Sequence, residues 1–199
     1  MGGHTRTGAR RGATPRHDGL VSLPPTIRAE APDDVDQIAA VVESAFGSPV
    51  ESRLVAAIRA SDRFLPALSL VADVGDEIVG HVMVSLVDLV AGDQTHLVHS
   101  LSPLAVAPAW QRQGIGSALV RAVIARCASA GVGMIVLEGA PTYYRRFGFE
   151  HSVPLGVEMT LPGWAPGEAA QLLRLEAYDP SVRGEVRYPP AFDESISDR

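Results

Sequence analysis

The segment from Leu104 to Ser117 constrains the fold most, because an apolar strand pattern stops there and a helix begins after a glycine-containing turn. The helix pattern runs from Gly114 to Ala130, and a short apolar strand, Val132–Leu137, follows it directly. A strand, a helix and a strand in this order predict a parallel strand pair joined by a right-handed crossover. The chain is therefore expected to be an α/β protein.

Hydrophobic periodicity predicts further helices and strands on both sides of this unit. The predicted strands are Thr26–Glu30, Leu68–Asp73, Glu77–Val87, Thr95–Val106, Gly156–Thr160 and Gln171–Tyr178, and the predicted helices are 32–47, Glu51–Ala60 and Pro141–Phe147. The first helix begins with Asp34 and Gln37 at capping-box spacing. Pro103 cannot donate a hydrogen bond within its strand, so we expect a bulge or a break in pairing there.

The composition is that of one globular domain with a hydrophobic core, because 46% of the 199 residues are apolar and 20% are charged. No run of 18 apolar residues occurs, so no membrane span and no membrane partner are expected. The formal charge of −6 argues against nucleic acid as a partner of the folded domain. The single cysteine, Cys127, excludes a disulfide framework and a multi-cysteine zinc site, and we expect no metal.

The composition also suggests where the domain begins and ends. Residues 1–25 contain Gly, Thr, Arg and Pro with almost no apolar periodicity, so we expect a disordered tail rather than a nucleic-acid-binding arm. The domain is expected at 26–192, followed by a loose tail at 193–199. No apolar core follows the first arginines, as a secretory signal requires, so a cytoplasmic location is expected.

The turn before the predicted helix has the features of an anion site. The first-turn amides of a helix have no internal acceptor, and the helix dipole places partial positive charge there. Gly114 and Gly116 let a ligand approach the backbone, and Arg112 adds a full charge. The Gly-Lys-Ser/Thr ending of a nucleotide loop is missing, and Leu119 stands where a dinucleotide fingerprint has its third glycine.

Two motifs in this order resemble those of the GNAT N-acyltransferase superfamily. The sequence Gln111-x-x-Gly114-x-Gly116 resembles its acetyl-coenzyme A pyrophosphate loop, and the run 143–149, Tyr-Tyr-Arg-Arg-Phe-Gly-Phe, resembles its aromatic–Tyr–x–x–x–Gly–Phe motif. Ser-Pro-Leu-Ala-Val at 102–106 and Val-Arg-Tyr-Pro-Pro-Ala-Phe at 186–192 are similar to the YhbS-like branch. The resemblance covers about residues 26–192.

The resemblance implies a mixed α+β, three-layer GNAT-type fold. Its sheet would be twisted and mostly antiparallel, with helices on both faces and one parallel strand pair that splays apart. The strand ending near Val106 and the strand Val132–Leu137 would form this pair, and the pantetheine arm of acetyl-CoA would lie in the gap.

The resemblance also implies the site residues and the reaction. Acetyl-CoA would bind to Leu104, Ala105, Val106, Gln111, Arg112, Gln113, Gly114, Ile115, Gly116 and Ser117. A primary amine would attack the thioester directly in a ternary complex, and Tyr144 would protonate the coenzyme A thiolate. Glu138 is a candidate general base, with helix capping as an equal alternative.

Some assignments remain open at this point. Cys127 lies on the apolar stripe of its helix, which indicates a core residue rather than a nucleophile. The acceptor amine, whether a small molecule or a protein N-terminus, is expected near the first two helices and the loop around Trp164. A non-catalytic acyl-CoA sensor and an interaction module are the competing functions, and the presence of Tyr144 favours the enzyme.

Overall fold

The computed structural model describes residues 24–189. The expected tails at 1–25 and 193–199 therefore lie almost wholly outside the described residues, and the domain limits 26–192 stay a prediction. Within this range no helix is both long enough and apolar enough to cross a bilayer.

The described residues form four helices and nine strands. The helices are α1 (Val35–Phe46), α2 (Val50–Arg59), α3 (Ile115–Ser129) and α4 (Pro141–Tyr144). The strands are β1 (Thr26–Ala29), β2 (Ser69–Val74), β3 (Glu77–Ala91), β4 (Gln94–Val106), β5 (Met134–Glu138), β6 (Glu150–His151), β7 (Val157–Met159), β8 (Ala170–Arg174) and β9 (Gly184–Arg187).

These strands make one mixed, mostly antiparallel sheet, as predicted. Its order is β1-β2-β3-β4-β5-β8-β6, and β9 pairs with both β3 and β7. The pair β4–β5 is parallel and α3 connects its two strands. A second parallel pair, β7–β9, was not predicted. β7 lies inside the predicted strand Gly156–Thr160, but the four residues of β9 are too few to show a hydrophobic period.

Strands β4 and β5 separate after a short paired stretch. Their parallel register consists of His99 opposite Ile135 and Ser100 opposite Val136, and the later residues of both strands diverge. On its other side β4 stays paired to β3, with an irregularity between Val82 and Val84. This irregularity lies opposite Pro103, so the predicted bulge is confirmed. The result is a gap inside the sheet, bordered by the carboxyl-terminal half of β4.

Helices cover both faces of the sheet. α1 and α2 pack on one face through buried side chains such as Ile38, Val42 and Ile58. α3 packs on the other face through Leu119, Val123 and Cys127, each 0% exposed. Cys127 is thus a core residue, as its place on the helix stripe predicted.

The start of α1 differs from the prediction. Asp34 does not form a capping box with Gln37, because its carboxylate accepts the Ala31 N–H at 2.7 Å and pairs with Arg28 at 2.6 Å. Gln37 instead accepts a hydrogen bond from the Ile78 N–H at 3.0 Å. Long-range partners on β1 and β3 therefore take both side chains away from the local motif. The predicted helix 141–147 also divides, because α4 gives way to a 3-10 turn at Arg145–Phe147.

Candidate functional site

The turn before α3 presents bare backbone amides toward solvent. Gly114 occupies the N-cap with a φ of +87°, and Arg112 has a φ of +61°, so both take the left-handed conformation that this turn needs. The first intrahelical bond runs from the Ala118 N–H to the Gly114 carbonyl at 3.0 Å. The amides of residues 115–117 therefore lack helical acceptors, at the end of the helix where the dipole favours an anion.

Two glutamine side chains brace this turn. Gln111 Nε2 donates to the Val106 carbonyl at 3.0 Å, and Gln113 Nε2 donates to the Ala109 carbonyl at 3.0 Å. Both predicted site residues thus contact the loop backbone itself. The side chain of Ile115 is 3% exposed and packs in the core, so only its backbone belongs to the loop surface. Ser117 lies half-buried in the first turn of α3.

The free edge of β4 carries the backbone groups of Leu104 and Val106. The Ala107 N–H donates to the Val79 carbonyl at 2.9 Å, so the backbone groups of residue 107 face β3. Because successive residues of a strand alternate in direction, those of Val106 and Leu104 face the gap. Ala105 lies opposite His81 in the ladder, so its backbone groups face β3. Its side chain is 1% exposed and lies in the core.

A cavity of about 320 Å³ occupies the gap between β4 and the end of β5, and we call it the cleft cavity. Its walls include Phe46 and Glu51 from the α1–α2 side, and residues 100–104 from β4. Tyr144 and Glu138–Ala140 close it on the β5 side, and Tyr188 also lines it. The structure therefore brings the predicted tyrosine and glutamate to one cavity beside the open strand edge.

Tyr144 lies in a tight aromatic setting at this cavity. Its ring contacts Phe149 edge-to-face, with ring centroids 5.6 Å apart. A Cβ atom on Gly139 would stand 2.5 Å from a carbon of the Tyr144 ring, so glycine is needed there. Burial, and then the neighbouring Tyr143, raise the pKa of Tyr144 well above its ordinary value of 10.0. The phenol therefore stays protonated at neutral pH.

Tyr143 faces the turn before α3 rather than the cleft cavity. A Cβ atom on Gly116 would stand 2.9 Å from the Tyr143 hydroxyl oxygen, so this hydroxyl covers the first turn of α3. The Arg146 guanidinium stacks on the ring, 4.3 Å from its centroid. The two adjacent tyrosines thus serve different parts of the site.

Glu138 ends β5 and accepts a hydrogen bond from the Tyr188 hydroxyl at 2.7 Å. Burial, and then Glu138 itself, raise the pKa of Tyr188 well above its ordinary value, so this hydroxyl remains a donor. The N-cap of α4 is Ala140, and no side chain caps that helix. The structure therefore gives no support to the helix-capping interpretation of Glu138.

Sequence reasoning missed Glu51 and Tyr188 as cavity residues. Glu51 is 7% exposed in the first turn of α2 and accepts a hydrogen bond from the Ser48 hydroxyl at 3.2 Å. The spacing of Ser48 and Glu51 is a detectable local signal. Tyr188 stands in the C-terminal motif, but only the pairing of β9 with β3 brings it to Glu138.

Comparisons with known proteins agree with this geometry. A family model described as an acetyltransferase (GNAT) domain matches residues 26–152. The chain belongs to the GNAT acetyltransferase family. YhbS of Escherichia coli, an uncharacterized N-acetyltransferase, is 31% identical over 84% of this chain and 98% of its own length. YjhQ of E. coli, likewise uncharacterized, is 36% identical over 59% of this chain. The matched segment covers 65% of YjhQ, just under two thirds of its length.

Solved GNAT structures have the same fold. YhbS of E. coli in complex with CoA gives a TM-score of 0.77 at 29% identity, covering 89% of this chain and 96% of that one. A GNAT family acetyltransferase of Brucella melitensis in complex with acetyl-CoA gives a TM-score of 0.68 at 33% identity. This match covers 85% of this chain and 98% of the Brucella chain. The resemblance inferred from the motifs, including the YhbS-like branch, and the GNAT fold are both confirmed. Between residues 24 and 189, no group of three His, Cys, Asp or Glu side chains is placed to hold a metal ion.

Proposed function

We propose that this GNAT chain transfers the acetyl group of acetyl-CoA to a primary amine by direct attack in a ternary complex. One observation carries the proposal: the protonated phenol of Tyr144 lines a cavity bordered by an open strand edge and close to a helix N-terminus with bare amides. The CoA and acetyl-CoA bound to the two structural relatives support the same donor. A non-catalytic acyl-CoA sensor, the alternative, would not need a buried phenol at that place.

The coenzyme would bind along backbone groups. The amides of residues 112–117 and the charge of Arg112 suit the pyrophosphate. The open backbone groups of Leu104 and the N–H of Val106 suit the pantetheine arm, which carries amides of its own; the Val106 carbonyl already accepts from Gln111. The thioester would then enter the cleft cavity, where a main-chain amide near Val106 would stabilise the oxyanion.

The reaction needs two proton transfers. When the neutral amine attacks, a C–N bond forms, and collapse of the tetrahedral intermediate breaks the C–S bond. The departing thiolate takes its proton from the Tyr144 hydroxyl. The attacking nitrogen loses a proton to Glu138, directly or through one water, and Tyr188 holds this carboxylate in place.

The test combines coenzyme binding with turnover on the full chain. Acetyl-CoA at 100 times its dissociation constant should stabilise the protein by about 2.7 kcal/mol, seen as a higher melting temperature. Free coenzyme A thiol should then appear only when an amine is added. Absence of a thermal shift at millimolar acetyl-CoA would exclude both the enzyme and the sensor, whereas a shift without amine-dependent thiol release would favour the sensor.

A further inference from the structure

A second cavity of about 370 Å³ adjoins the cleft cavity, and we call it the Trp164 cavity. Glu138–Ala140 lines both cavities, so a molecule that reaches the cleft cavity from this side passes the end of β5. The other walls are almost entirely apolar and include Pro141, Leu161, Pro162, Trp164, Pro166 and Ala169.

Trp164 is the most exposed large apolar side chain between residues 24 and 189, at 76%. Phe46, which is 44% exposed, lines the cleft cavity. Exposed apolar side chains that gather around a concave site mark a place for an apolar ligand. Pro162 and Pro166 restrict the loop around Trp164, which lowers the entropy lost when a ligand orders it.

Two carboxylate side chains line the path between the cavities. Glu51 and Glu138 line the cleft cavity, held by the Ser48 and Tyr188 hydroxyls. No Arg, Lys or His side chain lines either cavity within the described part of the chain. Carboxylates attract an ammonium group, which releases one proton to solvent before the neutral amine attacks, and they repel a ligand that carries its own carboxylate beside the amine.

We propose that the acceptor is an arylalkylamine: a primary amine with an aromatic group and without an adjacent carboxylate. Its nitrogen lies in the cleft cavity near Glu138, and its ring lies in the Trp164 cavity. This inference rests on the proposed amine acetylation and adds the class of acceptor. It separates arylalkylamines from α-amino acids, which carry the same rings, and from small amines without a ring.

Amine selectivity of the full chain tests this proposal. Thiol release from acetyl-CoA is measured with two arylalkylamines, tryptamine and 2-phenylethylamine, and with ethanolamine as an amine without a ring. Phenylalanine is compared with phenylalaninamide, in which an amide replaces the carboxylate. We expect KM for the arylalkylamines to be at least about tenfold below that for ethanolamine, the scale typical of filling an apolar pocket. Phenylalaninamide should be a better acceptor than phenylalanine.

Two variants locate the aromatic group. Trp164→Ala should raise KM for tryptamine about tenfold and leave KM for ethanolamine and the affinity for acetyl-CoA unchanged. Leu97→Ala is the matched control, because Leu97 is 57% exposed and lines neither cavity. An unchanged KM for tryptamine in Trp164→Ala, or equal use of phenylalanine and its amide, would overturn the inference.

A binding measurement separates this inference from the proposed function. Calorimetry of tryptamine with the CoA-saturated protein requires no turnover. Trp164-dependent binding without thiol release would sustain the arylalkylamine site and refute acetyl transfer to it. Thiol release with ethanolamine, combined with no Trp164-dependent binding of tryptamine, would sustain acetyl transfer and refute the arylalkylamine site. Absence of both turnover and binding would refute both.

Discussion

The adjacent residues Tyr143 and Tyr144 face the turn before α3 and the cleft cavity respectively, so removing one hydroxyl at a time separates their proposed roles. Tyr144→Phe should lower kcat by about a hundredfold, the lower end of the range for general acid catalysis, because water replaces the phenol in part. The affinity for coenzyme should stay unchanged, because the thioester sulfur needs no proton before attack. Tyr143→Phe should keep nearly the full rate.

The measurement is kcat at saturating amine and acetyl-CoA, with coenzyme affinity measured separately on each variant. If Tyr144→Phe keeps the kcat of the parent, or if Tyr143→Phe is the variant with the strongly reduced kcat, the assignment of Tyr144 as the proton donor is wrong. Because burial raises the pKa of Tyr144, its ionisation should not produce a loss of activity between pH 7 and its ordinary value of 10.0.

Cys127 should form no acetyl-enzyme, because burial raises the pKa of its thiol to about 11. At pH 7 about one thiol in ten thousand is then ionised, and the side chain lies in the core under α3. Cys127→Ala should keep kcat within a small factor once its lower melting temperature is taken into account. Intact mass after incubation with acetyl-CoA is the direct measurement, and a Cys127-dependent acetyl adduct that added amine removes would establish double displacement instead.

Helix α3 offers a matched pair of glycines, one at each end. Gly114 and Gly131 have φ of +87° and +73°, and a Cβ atom at either position meets nothing within 4 Å. Gly114→Asp should weaken coenzyme affinity about a hundredfold, because a carboxylate would stand at the proposed pyrophosphate site. Gly131→Asp carries similar backbone strain away from the loop and should keep coenzyme affinity. Calorimetry with coenzyme A compares them, and equal affinities would remove the loop from the site.

The elements that the sequence predicted well are those with a long local period. α3, β3 and β4 each extend over more than ten residues, so their patterns show without tertiary information. β6 and β9 have two and four residues and exist only through pairing with β8 and β3. The same reason explains the site: the loop residues were predictable locally, whereas Tyr188 reaches Glu138 through that distant pairing.

Four elements of the molecule meet in one buried polar cluster. Glu30 follows β1 and pairs with Arg59 of α2 at 2.7 Å, and Ser69 of β2 donates to the same carboxylate. His81 of β3 is fully buried, with Nε2 3.0 Å from the Ser69 hydroxyl oxygen. Burial lowers the pKa of His81 although Glu30 opposes this effect. Burial alone would raise the pKa of Glu30, but hydrogen bonds from His81, Arg59 and Ser69 lower it to about 2.

Both shifts make the folded protein less stable in acid. The unfolded chain binds a proton at His81 below its ordinary pKa of 6.5, and at Glu30 below 4.5, where the folded protein resists protonation. The melting temperature should therefore fall as pH drops below 6.5, and fall further between pH 4.5 and about 2. His81→Gln should flatten the decline between pH 6.5 and 5, whereas His96→Gln, outside the cluster, should not. The measurement is the melting temperature of each protein at a series of pH values across this range. If the melting temperatures of His81→Gln and the parent decline in parallel, His81 does not cause the loss of stability in acid.

The gap beside β4 leaves part of a strand edge without a partner strand. The backbone groups of Leu104 and the N–H of Val106 form an unpaired strand edge there, whereas the Val106 carbonyl accepts from Gln111. Such edges accept strands from other chains. In the proposed complex the pantetheine arm covers this edge. Bound acetyl-CoA would therefore slow aggregation through this edge in addition to donating the acetyl group. When coenzyme is withdrawn, light scattering at elevated temperature should rise sooner than in its presence. Depletion of acetyl-CoA would then lower the concentration of folded, unaggregated protein as well as the rate of acetyl transfer.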